Sequence, residues 1–180
     1  MKTFALILVF LTLPLFAAEE PLPDLDKIEA ALKSTPDDPM LHYRKCQALF
    51  AKGKEQEAIT HAAIALTKFK AAKKELAWMG LGSIKTDKFK IDVHYNMGPK
   101  ERAEKKDGIV RPYSFRVWTT DAQPKLVRIL DFEFGYFDGE LMSAAIGETS
   151  NGNHANFGTL DPKSDFAAVK KLVLKILEKK

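Results

Sequence analysis

The spacing of apolar residues changes once along this chain of 180 residues, and that change decides what it can fold into. Up to about Lys74 they recur at three- and four-residue intervals, which aligns them on one face of a helix. From Lys88 they recur at every second residue, which aligns them on one face of a strand. The chain is therefore expected to be α+β, with a helical segment over 19–74 and an antiparallel β meander closed by a helix over 75–180.

The β half is the more legible. Phe89, Ile91, Val93 and Tyr95 alternate with Lys90, Asp92, His94 and Asn96, and Gly98-Pro99 ends that strand. Residues 100–107 (KERAEKKD) form a solvated charge run. A second strand over 109–120 sets Tyr113, Phe115 and Val117 against Ser114, Arg116 and Trp118. A third over 126–137 sets Leu130, Phe132, Phe134 and Tyr136 against Asp131 and Glu133. Asp138-Gly139 and Asn151-Gly152 are dipeptides that accept the two positive φ angles of a type I′ hairpin turn. They delimit strands over 141–148 and 154–160, so five strands are expected. A helix then begins at Asp161 or Ser164 as N-cap, tolerates Pro162 at its start, and carries Phe166, Val169, Leu172, Val173, Ile176 and Leu177 as its apolar face. The stretch 75–87 reads either as a helix continued to Trp78 or as a strand begun near Met79.

In the helical segment, Leu25, Ile28, Ala31 and Leu32 form one face, and 36–39 (PDDP) stops that helix and starts the next. A helix from Leu41 to Phe50 ends at Lys52-Gly53, and a third runs from Glu55 to Lys70. Residues 39–70 (PMLHYRKCQALFAKGKEQEAITHAAIALTKFK) resemble one tetratricopeptide repeat. His42-Tyr43 stands at the aromatic start, Cys46 at the small crossing position, Gly53 in the turn, and Ala58, Ala62 and Ala65 at the small positions of the second helix. Residues 24–39 resemble the end of an earlier repeat, and Ala31-Leu32 returns as Ala65-Leu66 thirty-four residues later. Lys45 and Ala62 depart from the usual pattern, and no Pro closes the second repeat. The resemblance covers about 47 residues and implies a module that binds peptides. One and a half repeats cannot bury their own faces, so the helices are expected to dock on the β half.

The N-terminus reads as a cleaved export signal over 1–18. Lys2 is followed by an uncharged run (FALILVFLTLPLF, 4–16) and by Ala17-Ala18. That run is shorter than the roughly 20 residues a bilayer needs, and nothing later is long and apolar enough to span one. The protein is thus expected to be periplasmic or secreted. Cys46 is its only cysteine, so no internal disulfide is available and a packed core must hold the fold. Removing Lys2 takes the basic residues from 28 to 27 against 24 acids, a net charge of +3. The charges are interspersed, which argues against nucleic acid.

No sequence signature of a nucleophile elbow, zinc site or nucleotide-binding loop is present. Cofactors and metals are not expected, and the balance is against an enzyme. Two surfaces are candidates. Tyr43 and His61 mark the helical face a protein or peptide partner would meet. Asp92, His94, Arg116 and Glu133, with His154 from the last strand, mark a polar sheet face where a carboxylate beside a histidine offers acid–base chemistry to a hydrolase or a small-ligand site. The plainer reading of that face is a solvated row of cross-strand charges. Trp78, Trp118 and His154 are the aromatics that would line a binding patch there.

Overall fold

The computed structural model describes residues 24–72, 79–95, 107–150, 153–161 and 163–179. The proposed leader, Trp78, Asn96, the run at 100–106 and the Asn151-Gly152 turn lie outside these residues.

Three helices come first. In α1 (Leu25–Ser34) the Asp24 carboxylate accepts the Asp26 N–H at 3.1 Å, satisfying an amide left without an intrahelical partner. In α2 (Pro39–Ala51) Asp38 accepts the N–H groups of Met40 and Leu41 at 2.8 and 3.3 Å, and Pro39 occupies the first turn, where its missing donor costs nothing. Gly53, at φ 74°, turns the chain into α3 (Glu55–Ala71).

Six strands follow: β1 (Met79–Lys85), β2 (Phe89–Tyr95), β3 (Gly108–Thr119), β4 (Leu126–Phe137), β5 (Glu140–Ser150) and β6 (Asn153–Thr159). They form one antiparallel sheet in sequence order, with β1 and β6 at its edges. The Asp138-Gly139 turn has φ of 50° and 81°, as a type I′ turn requires.

The sixth strand corrects the expected count of five. It is β1, whose sequence MGLGSIK lacks a clean alternation because its register shifts between Gly80 and Gly82. The glycine at 82 is needed for close approach. A Cβ there would lie 2.6 Å from Phe50 Cδ1 of α2, and its φ is +156°. The final helix, α4 (Phe166–Glu178), is a second correction. Its N-cap is Asp165, which accepts the Ala168 N–H at 3.0 Å. Asp161 instead closes the preceding turn, accepting the Lys163 N–H at 2.8 Å on its side chain and the Ser164 N–H at 2.8 Å on its carbonyl.

The inner sheet face carries the expected apolar rows: Phe89, Ile91, Val93 and Tyr95 on β2, Tyr113, Phe115 and Val117 on β3, and Leu130, Phe132 and Phe134 on β4, all buried. Helix α4 lies across it. The Phe166 ring meets those of Tyr113, Phe115 and Phe50 at 5.4, 6.2 and 5.9 Å, so one side chain joins the sheet, α4 and α2. Lys170 of α4 bonds Glu55 of α3 at 2.6 Å. The buried apolar residues of α2, α3, the sheet and α4 make a single core. Among the described residues no helix is long and apolar enough to cross a membrane.

Candidate functional site: the outer sheet face

With α4 on one face, the polar positions of the strands lie on the other. The registers place Gly80, His94, Ser114, Asp131, Gly147 and Asn156 in one row across all six strands. The adjacent row holds Ser83, Asp92, Arg116 and Ile129. Asp92, His94 and Arg116 are therefore neighbours, as the alternation implies.

Much of this face is not the solvated row of charges that alternation alone suggests. Ser114, Asp131 and Glu133 are each 6% exposed or less. Strand β4 is central, so its outward side chains are flanked on both sides and must find partners there. Asp131 accepts the Thr149 hydroxyl at 2.9 Å from β5. Glu133 pairs with Arg111 rather than with Arg116. A bulge creates that pairing: the register of β3 runs from Val110 to Tyr113 while β4 advances only from Phe134 to Phe132, so Arg111 and Pro112 together oppose Glu133. The bulge also accommodates Pro112, which has no N–H to give a central ladder.

Of the other expected residues, Asp92 accepts the Ser83 hydroxyl at 2.7 Å and lies 3.4 Å from Lys90. Its side-chain partners are thus local, and among the described residues no side-chain hydrogen bond joins its carboxylate to His94. Burial and the Arg116 cation push the His94 pKa below its ordinary value against the pull of Asp92, which favours a neutral ring at neutral pH. His94 Nδ1 and the indole nitrogen of Trp118 are sealed from water and have no hydrogen-bond partner among the described residues. His154 sits opposite Thr149 on β6, with β3, β4 and β5 between it and β2. Among the described residues no group of three or more His, Cys, Asp or Glu is placed to hold a metal.

On the helices, Tyr43 is half-buried against the backbone of Gly80 on β1, and its phenol pKa is raised chiefly by that burial. His61 is also half-buried, its ring meeting that of buried His42.

The feature that alternation did not single out is apolar. Ile109, Phe137 and Met142 are 56%, 71% and 66% exposed. Ile109 opposes Gly135, Gly135 opposes Ser143, Phe137 lies two residues beyond Gly135 on β4, and Met142 is the extra residue of β5 at the register shift between Gly135 and Tyr136. Three exposed bulky residues thus lie at neighbouring positions of β3, β4 and β5, around the small pair Gly135 and Ser143 and near the Arg111–Glu133 pair. The available signal was two large apolar residues, Phe137 and Met142, on either side of a turn dipeptide that has to lie at the surface.

Comparison with known protein families, curated proteins and solved structures finds no match to this chain.

Proposed function

We propose that the chain is an exported, non-catalytic protein that binds a protein or peptide partner, and that the partner seats on the outer sheet face around Ile109, Phe137 and Met142. The observation that carries this reading is the exposure of those three side chains at neighbouring positions. Clustered apolar surface beside polar groups favours a partner, because covering it releases ordered water while the rim keeps its hydrogen bonds. The carboxylates of the polar row are each bonded to a neighbouring side chain, which supports recognition over acid–base chemistry. The repeat-like helices fit the same reading. Their apolar sides lie in the common core, which favours the sheet over Tyr43 and His61 as the docking face.

The test is a photo-crosslinking residue placed at Phe137 or, separately, at Thr60 of α3, with the protein in its own cells. A discrete adduct from position 137 that disappears with Met142→Ser supports the sheet surface. An adduct only from position 60 moves the partner to the helices, and none from either sinks the interaction reading. N-terminal sequencing of the recovered protein tests export, which requires a start at residue 18 or 19.

A further inference from the structure

The helical segment contains a pair of histidines that the partner reading does not use. His42 of α2 and His61 of α3 face each other with their Nδ1 atoms 3.0 Å apart. The ring centroids are 5.2 Å apart and the planes differ by 23°, so the rings meet edge to edge, nitrogen against nitrogen. His42 Nε2 lies 2.9 Å from the Pro36 carbonyl in the turn between α1 and α2. A carbonyl only accepts, so His42 carries its hydrogen on Nε2. Its Nδ1 is then the acceptor, and His61 donates from Nδ1. An added proton can enter this line of bonds on His61 Nε2, where burial and Lys45 oppose it. A second proton, on His42 Nδ1, would set two N–H groups against each other across 3.0 Å.

We propose that this pair is a proton-operated latch, holding α1 and the turn at 35–38 on the α2–α3 hairpin at neutral pH and releasing them in acid. The turn is reached directly through Pro36. Helix α1 contributes Ile28 as its one buried residue, with Leu25 packed at the edge of the core and Glu29 tied to Lys45.

The charged groups around the pair leave it in control of a definite pH range. Lys45 of α2 faces it and bonds Glu29 of α1 at 2.9 Å. Glu57 lies on α3, 3.4 Å from Lys54, and Asp37 in the turn pairs with Lys68 of α3. Burial first, then Lys45 and His42, push the His61 pKa down to about 4, while Glu29 and Glu57 pull the other way. An unfolded histidine titrates near 6.5. Between those values the opened state binds more protons than the closed one, so the closed state is favoured at high pH and weakened as pH falls, by about tenfold per unit for each excluded proton. Lys45 and Lys68 hold Glu29 and Asp37 below their ordinary pKa values, so those two ties persist through this range.

Amide hydrogen exchange on the purified protein at pH 7.5 and pH 5, corrected for intrinsic rates, tests the latch with His61→Gln as control. Its amide offers either a donor or an acceptor to His42 and does not titrate. Protection over 25–38 should fall about tenfold or more in the wild type but not in the variant, with β3 and β4 unchanged in both. An equal fall in both proteins overturns the proposal. Should the variant not fold, imidazole nitrogen NMR of the wild type decides. A hydrogen on His42 Nε2 and His61 Nδ1, with at most one further proton in the native pair, supports the latch, and independent protonation of both rings near 6.5 ends it. Protection over 25–38 gained on adding Zn²⁺, and lost in His61→Gln, would mean a metal bridge and also overturns it.

Discussion

Cys46 shows how a residue's surroundings set its chemistry. It is fully buried at the α2–α3 crossing, among Ala58, Ala62 and Ala65, which are equally inaccessible. Small side chains there let the two helix axes approach, and the same closeness strips water from the thiol, pushing its pKa up to about 12. At pH 8 the thiol is overwhelmingly protonated, and the thiolate is the reactive form. Cys46 should therefore resist a disulfide-exchange reagent in the native protein and react fully in guanidinium. Rapid native labelling would mean that the crossing opens. Gly82 is the counterpart on β1. Gly82→Ala would drive a methyl group into the Phe50 ring and force a non-glycine residue to φ +156°. A loss of about 2–4 kcal/mol is expected in chemical denaturation. Such a position is hidden from a reading of periodicity, because the demand on it comes from a helix some thirty residues earlier.

At the scale of elements, alternation works until a bulge interrupts it. Strand β2 has no register shift toward β3, and all four of its expected apolar residues are buried. The bulge at Arg111–Pro112 is different: it sets Arg111 against Glu133, a pair that the alternation of β3 did not single out. No spacing rule applied to β3 alone reveals this, since the bulge exists only relative to β4. Arg111→Met keeps much of the side-chain length but removes the guanidinium that bonds the nearly buried Glu133 carboxylate. A loss of about 3 kcal/mol is expected in urea unfolding at pH 7, and a variant as stable as wild type would show that Glu133 has other adequate partners. For α4 the apolar spacing located the helix while its N-cap fell at Asp165, since Asp161, Ser164 and Asp165 all have side chains able to cap. Phe166→Ala, at the meeting of sheet, α4 and α2, should cost about 3–5 kcal/mol in the same measurement.

At the scale of the molecule, the helical segment and the sheet share one core, so neither has a complete interior alone. A chain lacking residues 24–72 would uncover β1 at Gly80 and Gly82, the Phe50 side of Phe166, and the Glu55 side of α4. It should be recovered aggregated or without a cooperative thermal transition. A sharp transition would show instead that the sheet and α4 are self-sufficient. The α+β class was legible because a change of period survives local irregularity. The apolar patch at Ile109, Phe137 and Met142 was not, because it depends on which strands are neighbours and how far each extends.

The meander has a consequence in time as well as in space. Each strand bonds to the strand beside it in sequence, so each pairing closes only a short loop and the sheet can zip in the order in which it is synthesised. The helices that leave the ribosome first face the opposite situation. Glu55 waits for Lys170, 115 residues later, and Phe50 waits for Phe166. Until α4 emerges, after all six strands, the N-terminal helices have no completed surface to settle on. A stop codon placed just before Phe166 should therefore leave the whole nascent protein, and not merely its tail, in the hands of chaperones.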